Sequence, residues 1–286
     1  MPELPEVQAL ADFLGERAVG QVITDVELGS IAVLKTYNPQ PSSLVGRPID
    51  GVSRHGKFID VDVDGTHLIF HLARAGWLRW SEKIPKTRVR PGKSPIALRV
   101  RLSDESGFDL TEAGTRKGLA AYVVESADEV PGVARLGPDP LAEDFTEDVF
   151  ASILSEHNKQ IKGLLRDQSV IAGVGNAYSD EILHVAKTSP FALAPKLSAE
   201  QVHTVYLALR ETLLGAVAVA HGKPAAELKD AKRSGMRVHG RTGEDCPVCG
   251  DVVREVSFAD TSLQYCATCQ TGGKPLADRR MSKLLK

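Results

Sequence analysis

The chain has 286 residues, 42% of them apolar and 25% charged, which is the composition of a soluble globular protein of about two domains. With 25 Gly and 16 Pro it is not a low-complexity chain, and it shows neither an expected membrane span nor the basic, apolar start of a secretory signal, so a cytoplasmic protein with no membrane partner is expected. The net charge of −2 hides an asymmetry, 17 Lys/Arg against 23 Asp/Glu in residues 1–150 and 18 against 14 in residues 151–286, which leaves open both a polyanion partner and ordinary solvated faces.

Residues 5–18 place Val7, Leu10, Ala11, Leu14 and Ala18 at helical spacing, with Pro2 and Pro5 where a helix start tolerates them. The period then changes. QVITDVEL, KFIDVDV, THLIFHLA, ALRVRLS and LAAYVVE are short, β-branched and often alternating, with Gly, Pro, Asn and Asp between them. That pattern predicts an antiparallel sandwich or barrel. Pro131, Gly132, Gly137, Pro138 and Pro140 fall close together and mark an expected domain boundary. Beyond it TEDVFASILSEH, LLRDQ, AYSDEILHVAK, SAEQVHTVYLALRETLLGAVAVA and PAAELKDAKR read as helices. A short, turn-rich unit from about 238 closes the chain.

All four cysteines lie in that last unit, with the spacing Cys246-x2-Cys249-x16-Cys266-x2-Cys269. Two such knuckles can surround one tetrahedral zinc, and the alternative is free or redox thiols. With four Cys ligands the metal has no open position, so its expected role is structural. A unit this small would take part of its folding free energy from the metal.

Gly173-Val174-Gly175-Asn176 precedes the helix AYSDEILHVAK. Asn176 is an expected N-cap, and Asp180 and Glu181 suit the early turns against the helix dipole. Glycines at a helix start let backbone N–H groups approach an anion, with Lys159, Lys162 and Arg166 nearby. A simple helix–helix turn explains the same residues. At the N-terminus, removal of Met1 would expose the secondary amine of Pro2. An α-amino group has a pKa of about 7.7–8.0, so part of it is a free nucleophile near neutrality. Attack on a sugar carbon would give an iminium, with Glu3 and Glu6 beside it as proton donors or acceptors. Read alone, these residues are better explained as a capped surface helix start.

MPELPEV at 1–7, GKFI around Lys57, DQSVIAGVGNAYSDEIL at 167–183, VHGRTGEDC at 238–246 and the CxxC…CxxCQ unit occur together in this order. The chain resembles the formamidopyrimidine-DNA glycosylase / endonuclease VIII family of base-excision repair enzymes over nearly its whole length. The resemblance implies a multidomain α+β fold. Its expected parts are a β-sandwich with a flanking helix (1–131), a linker (132–150), a helix–two-turns–helix domain (151–236), a zinc-finger hairpin (237–272) and a basic tail (273–286). It implies DNA held in the cleft between the two halves, one structural Zn2+, a monomer, and damaged DNA, double-stranded or partly single-stranded, as partner, with nucleoid association when bound.

By the same resemblance Pro2 is the nucleophile at C1′, Glu3 the general acid/base, and Lys57 the lysine that approaches the lesion's phosphate. Asn176 grips a phosphate, Lys162 faces the lesion strand, and Gly173 and Gly175 shape the phosphate-binding loop. Tyr178 and Glu181 complete the motif. The implied chemistry is base release followed by β,δ-elimination. The departures concern reading of the lesion. Relatives that excise 8-oxoguanine carry Met after HLG, where HLARAG places Arg74, and their Arg and Phe wedge residues align with Thr115 and Lys117. Arg116 beside these positions is a further candidate DNA contact. The zinc-finger arginine aligns with Thr261, and the stretch Ala220–Val238 is short and lacks the usual lid sequence. A bifunctional glycosylase/lyase is therefore expected, with 8-oxoguanine not its best substrate. The competing expectation is a catalytically reduced DNA-damage or DNA-structure binding protein on the same scaffold.

Overall fold

A computed structural model describes residues 1–92, 94–113, 117–258 and 261–277. The chain forms two compact units, one of Met1–Leu136 with Ala220–Lys229, the other of Gly137–Val219 with Asp230–Lys286. The first unit opens with helix α1 (Leu4–Ala18), whose Val7, Leu10, Leu14 and Ala18 are buried as their spacing requires. Eight strands follow: β1 (Ile23–Leu28), β2 (Gly51–His55), β3 (Phe58–Val63), β4 (Thr66–His71), β5 (Gly76–Ser81), β6 (Ile96–Leu102), β7 (Gly107–Glu112) and β8 (Ala120–Val124). They form two antiparallel sheets, ordered β1-β6-β7-β5 and β2-β3-β4-β8.

One core serves both sheets and α1. Ile59, Val61 and Val63 alternate inward from β3, Leu68 and Phe70 from β4, and Leu98, Val100 and Leu110 from β6 and β7. The opposite face of β4 presents Ile69, which packs with Val124 and Val130. Strands β2, β5 and β7 lie outside the segments expected from the sequence. GWLRWS and GFDLTE mix large, charged and Gly residues and become strands through long-range pairing, GWLRWS with GFDLTE (Trp77 opposite Thr111, Leu78 opposite Leu110) and GFDLTE also with β6. Residues 220–229 complete this unit. Trp77 Nε1 donates to the Ala225 carbonyl at 3.0 Å, and Leu228 is buried in the same core.

The second unit is helical, with α2 (Glu147–Glu156), α3 (Ile161–Leu165), α4 (Asn176–Val185) and α5 (Ala199–Ala220), and α6 (Leu228–Gly235) runs into it. Thr146 caps α2, its hydroxyl accepting from Val149 N, and Phe145, Phe150 and Tyr206 cluster with ring centroids 6.1–6.4 Å apart. Helix α5 corrects one expectation. By length and composition alone it could cross a membrane. Its Val205, Ala208, Leu209 and Leu213 are buried within the protein, whereas Leu207 and Leu214 are exposed. The unit ends in an antiparallel hairpin, β9 (Val253–Ser257) with β10 (Ser262–Cys266), and the short helix α7 (Ala267–Thr271).

Candidate functional site

In the first unit, Pro2 and Glu3 lie at the N-terminal end of α1, both buried, while Met1 is exposed. Glu3 is the N-cap, and its partner in a reciprocal capping box is Glu6, whose Oε2 accepts the Glu3 N–H at 2.8 Å. The Glu3 backbone is therefore fixed at the point where the candidate nucleophile joins the helix. Lys57 sits on the tight β2–β3 connection and is only 7% exposed. Gly56 before it has φ 55°, the left-handed conformation that this turn demands.

A residue passed over in the sequence links these two places. Arg54 Nε donates to Gln8 Oε1 of α1 at 2.8 Å, and Arg54 Nη1 donates to the Gly56 carbonyl at 3.2 Å. One guanidinium thus ties the nucleophile-bearing helix to the lysine-bearing turn. Its only signal in the sequence is its nearness to Lys57.

His71 ends β4 opposite Phe58, their rings 4.8 Å apart. Burial, together with the nearby charge of Lys57, pushes its imidazole down to about 4, so it is neutral near pH 7. Its Nδ1 accepts the Ala73 N–H at 3.2 Å. Ala73 has φ 52°, and the turn closes with Gly76 N donating to Leu72 O at 2.9 Å. A Cβ on Gly76 would lie 2.1 Å from that oxygen, so glycine is required there. This tight turn presents Arg74 to solvent. On the other flank, buried Glu112 accepts from Gly118 N at 2.7 Å and Leu119 N at 2.9 Å. It thereby fixes one end of the stretch carrying Thr115 and Arg116, which lie outside the described residues, and exposed Lys117.

In the second unit, Gln168 shapes the GVGN loop. Its Nε2 donates to Val174 O at 2.7 Å and its Oε1 accepts from Gly173 N at 3.0 Å. Gly173 has φ 84°. The N-cap of α4 is Gly175, not Asn176 as expected, because Asn176 already has its place in the first turn. Asn176 Nδ2 instead donates to the Ser262 carbonyl of β10 at 2.8 Å, and its buried Oδ1 has no hydrogen-bond partner among the described residues.

Lys162, expected to face the lesion strand, points inward in this structure. It is 4% exposed, and its ammonium points inward to Asp180 Oδ1 at 2.6 Å, Ser179 Oγ at 2.8 Å and Asn176 O at 3.2 Å. Asp180 is fully buried and needs the cation more than a solvated phosphate does. Its other oxygen pairs with His239 Nδ1 at 2.8 Å. Glu181 accepts the backbone N–H groups of Arg237, Val238 and His239, and its burial raises its pKa. Neither acid acts as a simple dipole partner, because both anchor the chain leading into the hairpin. Tyr178 is buried beneath Lys232, whose Nζ lies 4.7 Å from the ring centroid.

The four cysteines converge, with all four Sγ atoms within 4.8 Å of one another. The Cys249–Cys266 and Cys246–Cys269 separations are 3.4 and 3.9 Å. A tetrahedron with Zn–S bonds of about 2.3 Å has edges of about 3.8 Å, so the set fits one zinc. Cys249 is exposed and Cys246 and Cys266 are buried, which places the site at the base of the β9–β10 hairpin.

Family models match this chain in three parts: the formamidopyrimidine-DNA glycosylase N-terminal domain over residues 1–120, the H2TH domain of the same enzymes over 136–227, and the zinc finger found in FPG and IleRS over 243–272. A formamidopyrimidine-DNA glycosylase of Symbiobacterium thermophilum is 32% identical across 98% of this chain and 93% of its own length. The chain belongs to the formamidopyrimidine-DNA glycosylase family. The family's work is base excision repair, and its zinc finger accounts for the one structural zinc held by Cys246, Cys249, Cys266 and Cys269. An uncharacterized formamidopyrimidine-DNA glycosylase-like protein of Mycobacterium tuberculosis is 60% identical over 156 residues, which are 54% of this chain and 98% of that protein. The Lactococcus lactis enzyme, solved non-covalently bound to DNA containing an AP site, superposes with a TM-score of 0.81 at 28% identity, covering 94% of this chain and 99% of that one.

Proposed function

We propose that this family member is a bifunctional DNA glycosylase and AP lyase whose nucleophile is the nitrogen of Pro2, once Met1 is removed. The carrying observation is that Pro2 and Glu3 are buried together at the head of α1, with Glu3 held by a capping box and α1 tied through Gln8 and Arg54 to the turn of Lys57.

In this reading the amine attacks C1′ of the damaged nucleotide and the base departs. The Glu3 carboxyl protonates the ring oxygen, which opens the sugar and leaves an iminium. Loss of a C2′ proton expels the 3′ phosphate, and a second elimination expels the 5′ phosphate. Water then hydrolyses the iminium and frees Pro2. Lys57 holds the lesion's phosphate, and Asn176 with the Gly173–Gly175 loop grips the backbone without reading sequence. The catalytic part is residues 1–131 completed by 220–229, the helical part is 151–219 with 230–236 and the finger 237–272, and the enzyme acts in the cytoplasm on damaged DNA of the nucleoid.

Lesion choice follows from how the gap left by a flipped base is filled. Arg74 stands on a rigid turn and can stack on or hydrogen-bond the orphan base. Lys117 suits phosphate better than a base stack. Substrates that are easy to flip are therefore favoured, namely abasic sites, bubbles, mismatches and oxidised pyrimidines over 8-oxoguanine opposite cytosine.

Borohydride trapping on single-lesion duplexes tests the reading. The untagged protein should form a covalent adduct with abasic-site DNA, and Pro2→Gly or an N-terminal extension should abolish most of it. Full trapping by a tagged protein would refute Pro2 as the nucleophile. Absence of any adduct on every lesion would favour the catalytically reduced binding protein.

A further inference from the structure

Helix α4 is fastened to the zinc-finger segment along its whole length. At its start Asn176 Nδ2 donates to Ser262 O, in the middle Asp180 pairs with His239 and Glu181 holds three backbone N–H groups, and at its last turn stands His184. His184 is 2% exposed and its Nε2 lies 3.2 Å from Cys246 Sγ. Its Nδ1 is buried with no hydrogen-bond partner among the described residues.

That asymmetry selects the tautomer. A zinc-bound thiolate is purely an acceptor, so the ring nitrogen facing it must carry the proton. The opposite tautomer would bury an unsatisfied N–H at Nδ1 and turn the Nε2 lone pair against the sulfur, which is the costlier arrangement on both sides. We infer that His184 is an outer-sphere partner of the zinc site, donating its Nε2–H to the Cys246 thiolate and so coupling metal occupancy to the helix that carries Asn176. This rests on the zinc finger and not on the proposed lyase chemistry.

The physical consequence is retention of the metal. Four thiolates around one Zn2+ leave a net charge of −2, and a buried N–H donor spreads part of it. A hydrogen bond to the charged sulfur is about twice as strong as one to a neutral thiol, so losing zinc weakens the contact at the last turn of α4. Outer-sphere partners of this kind typically alter metal affinity by about 10–100-fold.

The test uses the full-length, zinc-loaded protein and follows zinc transfer to a chromogenic chelator. His184→Phe keeps the ring volume but removes the donor, and should release zinc about tenfold faster or more. His184→Gln places an amide N–H where Nε2 stood and should stay within a few fold of the parent. Equal release from the Phe and Gln variants would overturn the inference, because packing alone would then explain His184. A measurement on the unaltered protein guards against misfolded variants: two-dimensional 15N spectra should show His184 protonated at Nε2. A proton on Nδ1 would equally overturn it.

Discussion

Lys162 offers the sharpest discrimination between a core role and a DNA-contact role. Its side chain is 6% exposed and that of Asp180 is 0%, with 2.6 Å between Nζ and Oδ1. Replacing Lys162 by Met preserves most of the aliphatic volume but strands a carboxylate in the interior. Breaking one side of a buried pair costs about 3–5 kcal/mol. His239 still donates to the other oxygen at 2.8 Å, so the lower end, about 3 kcal/mol, is the working value. At roughly 2–4 °C per kcal/mol the melting temperature of the helical unit should fall by roughly 6–12 °C. The assay pairs thermal unfolding with DNA affinity measured across a salt series. A lysine on phosphate contributes about one counterion to the salt slope, but a lysine already neutralised in the core contributes none. Lys162→Met should therefore lower stability and leave the slope of log affinity against log salt unchanged. Near-native melting with a slope reduced by one would refute the buried-pair reasoning and restore the phosphate contact.

Glu3→Gln should impair processing of a base-bearing lesion more than cleavage at a preformed abasic site, since the open-chain aldehyde of an abasic sugar needs no ring-oxygen protonation, and comparing single-turnover rates on the two substrates checks this. Metal analysis should find about one zinc per chain, and Cys266→Ser should weaken DNA binding and loosen the hairpin while sparing every proposed catalytic group; a metal-free preparation with normal binding would contradict it. His71 predicts a pH dependence. Its folded pKa, about 4, lies below the unfolded value of 6.5, so the unfolded chain binds more protons between them. Stability of the first unit should thus be fully present above about 6.5 and decline as pH falls toward 4. His71→Phe should flatten that slope in pH-resolved melting, and an unchanged slope would place its origin elsewhere.

The sequence by itself determined the elements with strong periods and the chemistry of local spacing. The α1 stripe at Val7, Leu10 and Leu14 buries as read, because a helix's face depends only on residues three and four apart. The cysteine pairs, two residues apart within each knuckle, announce a metal site for the same local reason. Tertiary structure alone decided what long-range pairing does to an ordinary residue. GWLRWS and GFDLTE carry no strong period and become strands through long-range pairing, GWLRWS with GFDLTE and GFDLTE also with β6. Lys162 reads as a phosphate lysine until Asp180, eighteen residues on, comes within 2.6 Å in the interior. Arg54 and His184 have side chains whose partners Gln8 and Cys246 lie on other segments, and a one-dimensional pattern holds no record of which polar groups will meet. The decision belongs to burial, since a desolvated carboxylate, carbonyl or thiolate must find its donor among whatever the fold brings near.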